Sequence, residues 1–526
     1  MLAAGLAAGV VALPSSAAMA ASPPPSFAGC AAPGPRPTVV IGKVSCQELP
    51  SAALGGTTAF SYYVPPDCAP GSGRRRCPVV YLLHGFGGDY TSMLGTAAHP
   101  SAWVAALSSG PPVDPHRVAD PWDYADPTRW VPRPALDLIL VAPDGRTVPG
   151  GFGPAAGVDG FWVDWNPRYA GSGDEPRYHT PAPGFATDVV HEILPYVESH
   201  LPTGSGREWR ALAGTSLGGY GSYQIGLVHP DLWSSLGSVS GALNILLLPG
   251  PDPSRASSPA GAQPPAAVPY HPLPGAVGVV PGSLGQAEAE DVNAATLALG
   301  DPVADQAYYR GANPRDLAFN AGAFRGGQQV TELRGFSNDA VPRRSADFSS
   351  PSGYLVDQSF ESLVLDMNVD FQAALPGLGV TDHYELHPGI HSDPYWNPWL
   401  RGQLESQYAT LRHLGGGGSP PPPPDRFDYR SVARSFSIWG WRFDVSRPNL
   451  EFLELRDVTC HSLTLRGSGQ VTLDVPADCG TGSNGSRTVH VDLGPSIPTD
   501  APAGADATPT YGRSVTVALS PLHGSR

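Results

Sequence analysis

The chain has 526 residues, of which 41% are apolar, enough to bury a large core in more than one domain. Its formal net charge is -15, with 32 basic against 47 acidic residues. That balance argues against nucleic acid or an anionic membrane as a partner, because both select clustered Lys and Arg.

Residues 1–20 form an apolar, small-residue run ending in Ala18-Met-Ala20. This fits the hydrophobic core and cleavage site of a secretory signal peptide, although no Lys or Arg precedes it. No later apolar run is long enough to span a bilayer, so the mature chain is expected to be soluble and exported. Six cysteines fall into the close pairs Cys30 and Cys46, Cys68 and Cys77, and Cys460 and Cys479. An even count suits an oxidising compartment, and neighbour pairing is expected because each pair closes a short loop. None has the Cys-x-x-Cys spacing of a zinc or thioredoxin-type site.

Residues 21–37 are proline-rich and expected to be irregular. The first strands are expected at 38–41 and 58–64, opening a domain that runs to residue 414. Pro78-Val-Val-Tyr-Leu-Leu83 is a continuous apolar strand that runs straight into His84-Gly-Phe-Gly-Gly-Asp89. A glycine-rich turn in that place supplies one oxyanion-hole amide when a nucleophile follows, and the residue after the nucleophile supplies the other. The expected donors are therefore the N–H groups of Phe86 and Leu217, with His84 packing to shape the loop rather than acting as a base. A further buried strand is expected at 136–142. The aromatic loop Gly160-Phe-Trp-Val-Asp-Trp165 follows it, where Trp162 and Trp165 either line a substrate cleft or pack in the core, and Asp164 braces the loop.

Helical spacing over 185–201 leads into Ala211-Leu-Ala-Gly-Thr-Ser-Leu-Gly-Gly-Tyr220. Here Gly-x-Ser-x-Gly stands at a strand-to-helix turn, the pattern of a nucleophile elbow on Ser216. A helix to Val228 and a parallel strand at 234–240 complete an alternating pattern whose site lies at the carboxyl ends of the strands. Residues 247–292 turn to Pro, Ala, Gly and Ser and read as an insertion, and 329–333 resumes the sheet.

A serine nucleophile needs a base, and the base needs a carboxylate. His383-Tyr-Glu-Leu-His-Pro-Gly-Ile-His391 runs from a strand into a turn, so His391 is favoured over His387 and His383. For the acid, Asp339 and Glu361 compete, and local reasoning does not separate them. Asp366 and Asp370 read as solvated helix positions.

Taken together, Tyr81-Leu-Leu-His-Gly-Phe86, Phe161-Trp-Val-Asp-Trp165, Gly214-Thr-Ser-Leu-Gly218, Ser240-Gly241 and His391-Ser-Asp-Pro-Tyr-Trp396 resemble the esterase D-like branch of the α/β hydrolases. That branch includes feruloyl esterases, S-formylglutathione hydrolase and secreted mycolyltransferases, and the resemblance covers roughly residues 38–411. It implies an α/β-hydrolase fold with a mostly parallel sheet, no metal or organic cofactor, and an ester substrate, either a small molecule or linked to polysaccharide. The mycolyltransferase comparison implies Glu361 as the acid, within Phe360-Glu-Ser-Leu, and Phe86 and Leu217 as oxyanion donors. Those enzymes carry an aspartate where His84 stands and an arginine-bearing loop after it. The reading is therefore a secreted esterase, with acyl transfer to a sugar hydroxyl and an inactive carbohydrate-binding or wall-binding protein as alternatives.

Residues 415–425, Gly-rich then Pro-rich, mark a linker. Beyond it, 426–526 alternates apolar and polar residues over 435–445, 450–455, 462–465, 470–475, 488–493 and 514–519. This predicts a small all-β sandwich or barrel pinned by Cys460 and Cys479. Trp439 and Trp441 fall on one face of a single expected strand, where they either stack on carbohydrate or join the core.

Overall fold

The computed structural model describes residues 27, 29–32, 39–71, 76–118, 121–146, 159–167, 183–247, 298–300, 305–323, 330–337, 351–376, 380–415, 422–479, 487–495 and 513–519. The expected leader over 1–20, the expected insertion beyond Leu247, Asp339 and residues 416–421 of the expected linker lie outside them.

Eight strands make the central sheet: β1 (Ser45–Ser51), β2 (Gly56–Tyr63), β3 (Val79–Leu83), β4 (Ile139–Pro143), β5 (Arg210–Thr215), β6 (Ser235–Val239), β7 (Val330–Ser337) and β8 (Thr381–Pro388). Their spatial order is β1-β2-β4-β3-β5-β6-β7-β8. The β1–β2 and β2–β4 pairs are antiparallel, and every later pair is parallel. This mostly parallel sheet with crossover helices on both faces is the α/β-hydrolase fold.

The apolar runs exist because both faces are covered. Along β3, Val79, Tyr81 and Leu83 enter one core while Val80 and Leu82 enter the other. On the first face lie α1 (Leu194–His200), entered through a π-helical turn over Asp188–Ile193, and α2 (Leu217–Val228). With them lies α3 (Pro351–Ala373), which adds Leu363, Met367 and Phe371 at helical spacing. The second face packs on α4 (Leu400–Gly415) through Leu400, Leu404 and Leu411.

The first strand departs from expectation. Among residues 39–41 only Ile41 makes a bridge, to Val64, and β1 lies at Ser45–Ser51. Its polar sequence hides it, since this strand lies at the edge of the sheet, where only the Ala31 bridge to Gln47 covers its outer side, and does not need an apolar run.

The carboxyl-terminal region is a sandwich of two four-stranded antiparallel sheets. They contain β9 (Phe427–Ser431), β10 (Ser435–Ile438), β11 (Trp441–Ser446), β12 (Leu453–Val458), β13 (Ser462–Gly467), β14 (Gln470–Val475), β15 (Arg487–Asp492) and β16 (Arg513–Ala518). The sheet orders are β9-β12-β13-β16 and β10-β11-β14-β15. The single strand expected over 435–445 is two strands, because Trp439 and Gly440 both take positive φ and close a two-residue hairpin between Ile438 and Trp441. Trp441 is therefore 3% exposed in the sandwich core. Trp439 lies against the α/β domain with the Arg207 guanidinium over one face of its ring, so the two indoles do not share one open face. All three cysteine pairs are disulfides between sequence neighbours, as expected.

Candidate active site

Ser216 stands between β5 and α2 with φ 54° and ψ -123°, a left-handed conformation that L-residues adopt only under constraint. The constraint is the close approach of β5, α2 and the end of β3. A Cβ on Gly214 would lie 2.3 Å from the Gly218 carbonyl, and one on Gly218 would lie 1.9 Å from Leu83 O. Glycine alone fits both places, which is the physical content of the Gly-x-Ser-x-Gly pattern. The turn lifts Ser216 half-clear of its neighbours at the carboxyl edge of the sheet.

His391 follows β8 and reaches back over that edge. Ser216 Oγ donates to His391 Nε2 at 2.7 Å. On the other side of the ring, His391 Nδ1 lies 2.6 Å from Glu361 Oε2, and since a carboxylate only accepts, Nδ1 carries the proton. Phe360 and Trp396 stand edge-on to the imidazole at 4.6 Å and 4.9 Å between ring centres, fixing its plane. Glu361 comes from α3 and has no exposed surface. Its second oxygen, Oε1, accepts from Ser240 Oγ at 2.7 Å.

The glycine-rich loop after β3 runs against Ser216, and a Cβ on Gly85 would be 3.3 Å from Ser216 Cβ. His84 shapes this loop from within. Gly145 N–H donates to its Nε2 at 2.9 Å, so Nδ1 is the protonated nitrogen and donates to Gly85 O at 2.8 Å. Burial pulls the His84 pKa down to about 4, which keeps the ring neutral. The Trp162 indole donates to His84 O at 3.1 Å. Arg146 holds Gly87 O at 2.9 Å, and Asp159 accepts from Gly87 N–H at 2.7 Å. Burial raises the Asp159 carboxyl to about 6 and the neighbouring Asp144 carboxyl to about 8. Among the described residues, neither Phe86 N–H nor Leu217 N–H has an acceptor.

Ser216, His391, Glu361, Phe86 and Leu217 thus meet at one edge of the sheet. Trp162 does not line the cleft: it is 1% exposed, and its ring fills the space beside Gly145 and Gly221, taking the core alternative. Trp165 is half-buried, bonded to Gly160 O and set against Phe185. Asp164 braces the loop by accepting from both the N–H and the hydroxyl of Thr187. His387 stacks on Trp399 at 3.4 Å and is bonded to Glu385, while His383 bonds the other oxygen of Glu385. Asp370 is not a solvated position, because it accepts from Asn244 and pairs with Arg315 in a half-buried network. Ser240, Asp159, Phe360 and Trp396 were not singled out for the site. Ser240, Phe360 and Trp396 stand in the motifs shared with the esterase D-like proteins, and Asp159 stands in none of them.

Residues 152–305, which include the elbow, match the family model described as "Putative esterase". The family likeness read from the motifs is therefore found again on the segment that carries Ser216. An S-formylglutathione hydrolase from Agrobacterium tumefaciens is similar in structure at 16% identity, over 71% of this chain and 98% of that one, with a TM-score of 0.40. A ferulic acid esterase gives 16%, 70%, 98% and 0.40 for the same quantities. Mycobacterium tuberculosis MPT51 gives 15%, 69%, 97% and 0.37.

Proposed function

We propose that the chain is a secreted serine carboxylic-ester hydrolase working through an acyl-enzyme on Ser216. One observation carries this reading: the unbroken run of hydrogen bonds from Ser216 through His391 to Glu361, beside two backbone N–H groups without acceptors. His391 Nε2 takes the Ser216 proton as Oγ attacks the ester carbonyl carbon. The carbonyl π electrons move onto oxygen, and the amides of Phe86 and Leu217 stabilise that oxyanion. Collapse expels the alcohol, which leaves with the proton from His391. Water then repeats the sequence on the acyl-enzyme and releases the acid, restoring Ser216. Glu361 keeps Nδ1 protonated and stabilises the imidazolium formed in each half-reaction.

Export is supported by the three disulfides and by the pattern of residues 1–20. No helix among the described residues is long and apolar enough to cross a membrane. The substrate is expected to be an ester of a small molecule or of a polysaccharide.

A fluorophosphonate probe tests the reading directly. Stoichiometric labelling of Ser216 in folded protein is expected, and no labelling would overturn it. Incubation with an acyl donor and a sugar acceptor should give free acid as the main product. Acylated sugar as the main product would make the protein an acyltransferase instead.

A further inference from the structure

We infer that Ser240 is a positioning residue for the reaction, holding Glu361 in the one rotamer that meets His391. This rests on the proposed Ser216, His391 and Glu361 roles and adds a residue to them. Ser240 is the first residue after β6, is fully buried, and takes φ 52°. A non-glycine residue in the left-handed region persists only where its surroundings over-determine it. Here that conformation accompanies a hydroxyl aimed at Glu361 Oε1, at 2.7 Å.

Glu361 Oε1 and Oε2 point to different partners, Ser240 and His391, so the two hydrogen bonds together fix rotation about the last side-chain torsion. A carboxylate with no exposed surface cannot turn to water for a replacement donor. The neighbouring Gly241 holds the same helix by a separate contact, since its carbonyl accepts from Asn368 Nδ2 of α3 at 2.8 Å. The Ser240-Gly241 pair thus joins the end of β6 to the acid-bearing helix at two points. Neither is visible as a local sequence signal, because residues 240 and 361 are 121 positions apart.

Removing the hydroxyl leaves the negative charge on Oε1 uncompensated and the carboxylate free to turn. The charge-assisted bond lost corresponds to about a 10- to 100-fold lower kcat, with KM little changed because Ser240 reaches no substrate. The acid limb of the pH–rate profile should move to higher pH, since a carboxylate with less compensation holds a proton on His391 more strongly. Two other titratable groups bear on the pair. The Tyr384 phenol on β8 is pushed up to about 12 by burial and by the Glu361 charge, and the Asp393 carboxyl is raised by burial against the opposing pull of His391. Both are unchanged in the comparison.

Ser240→Ala and Ser240→Gly separate positioning from fold support. Glycine accepts φ 52° without strain, so Ser240→Gly relieves the backbone while removing the same hydroxyl. Both variants are expected to show the kcat loss, the unchanged KM and the shifted acid limb, with the Ser240→Gly melting point close to the parent's. Parent-like kcat and acid limb in a folded Ser240→Gly overturn the inference, as does activity in the two variants that merely follows their melting points. Labelling by fluorophosphonate keeps the two readings apart. A parent that does not label sinks the serine-hydrolase reading and this one with it. A parent and a Ser240→Gly that label at equal rates sink only the role of Ser240.

Discussion

The same backbone device serves opposite ends in the two halves of the molecule. Among the described residues, six that are not glycine take positive φ: Phe161, Trp162, Ser216 and Ser240 around the cleft, and Trp439 and Asp457 in the sandwich. At the cleft the strain presents Ser216 Oγ to His391 and Ser240 Oγ to Glu361. In the sandwich the turn at Trp439 aims an indole into the seam between the domains. There its ring N–H donates to Ala323 O at 2.7 Å, its backbone N–H to Asp231 at 3.2 Å, and Arg207 covers its face. Strain that points a side chain at reacting atoms should be worth activity, and strain that points one at a seam should be worth stability.

The largest effect expected is at Ser216. Ser216→Ala should lower kcat/KM for a nitrophenyl ester by on the order of 10^6-fold while the circular dichroism and melting point stay close to the parent's. Residual activity within tenfold of the parent would move the nucleophile elsewhere. Next comes the acid. Glu361→Gln should cost about 10^3- to 10^4-fold in kcat, because an amide holds the wrong imidazole tautomer and leaves the imidazolium uncompensated. Asp339→Asn should change kcat less than about tenfold by the same physical criterion, that no proton on the relay depends on it. The reverse ranking would assign the acid to Asp339.

How much of this was readable beforehand follows from what each feature depends on. The strands β3, β4 and β5 announced themselves because burial on both faces forces unbroken apolar runs, and the elbow because two glycines leave no room for a Cβ. His391 followed from a turn after a late strand. The residues around Glu361 were not legible in this way. Whether Ser240 faces a carboxylate depends on a left-handed φ and on how α3 crosses the end of β6, neither of which has a local composition signature. The Trp439 hairpin was missed for a related reason. Trp at positive φ is rare, so 435–445 read as one strand with both indoles on one side, and Gly440 was the only hint of the turn.

Cleft groups also carry a cost of burial, and pH exposes it at Asp159. The folded Asp159 carboxyl, raised to about 6 by burial, lies above the roughly 4 of an unfolded chain. Between those values the folded state holds the proton and the unfolded state releases it. Stability from this group is therefore greatest near pH 4, falls as pH rises to about 6, and is flat above. Asp159→Asn keeps an acceptor for Gly87 N–H and removes the titration. Relative to the parent, it should gain about 2–3 kcal/mol between pH 4 and pH 7, read as a growing difference in denaturation midpoint. A constant difference across that range would show that Asp159 does not titrate there.

The smallest effect belongs to the sandwich and sharpens the contrast most. Trp439→Phe keeps an aromatic ring beneath Arg207 and removes the ring N–H that donates to Ala323 O together with a small part of the packed ring surface. That bond should be worth about 1 kcal/mol of stability. The seam it belongs to also holds the carboxyl end of the nucleophile helix, since Tyr429 donates to Val228 O at 2.7 Å and Asn320 to Leu227 O at 3.0 Å. Those carbonyls lie in the last turn of α2, where a helix has no acceptors' partners of its own, so the sandwich caps the helix that Ser216 begins. Yet they stand a full helix length, roughly 18 Å, from the nucleophile. Trp439→Phe should accordingly lower the melting point slightly and leave kcat within about twofold at temperatures well below unfolding. A folded Trp439→Phe with kcat reduced as far as in Ser240→Gly would mean that the seam is part of the catalytic apparatus, and that left-handed residues in both halves answer to the same chemistry.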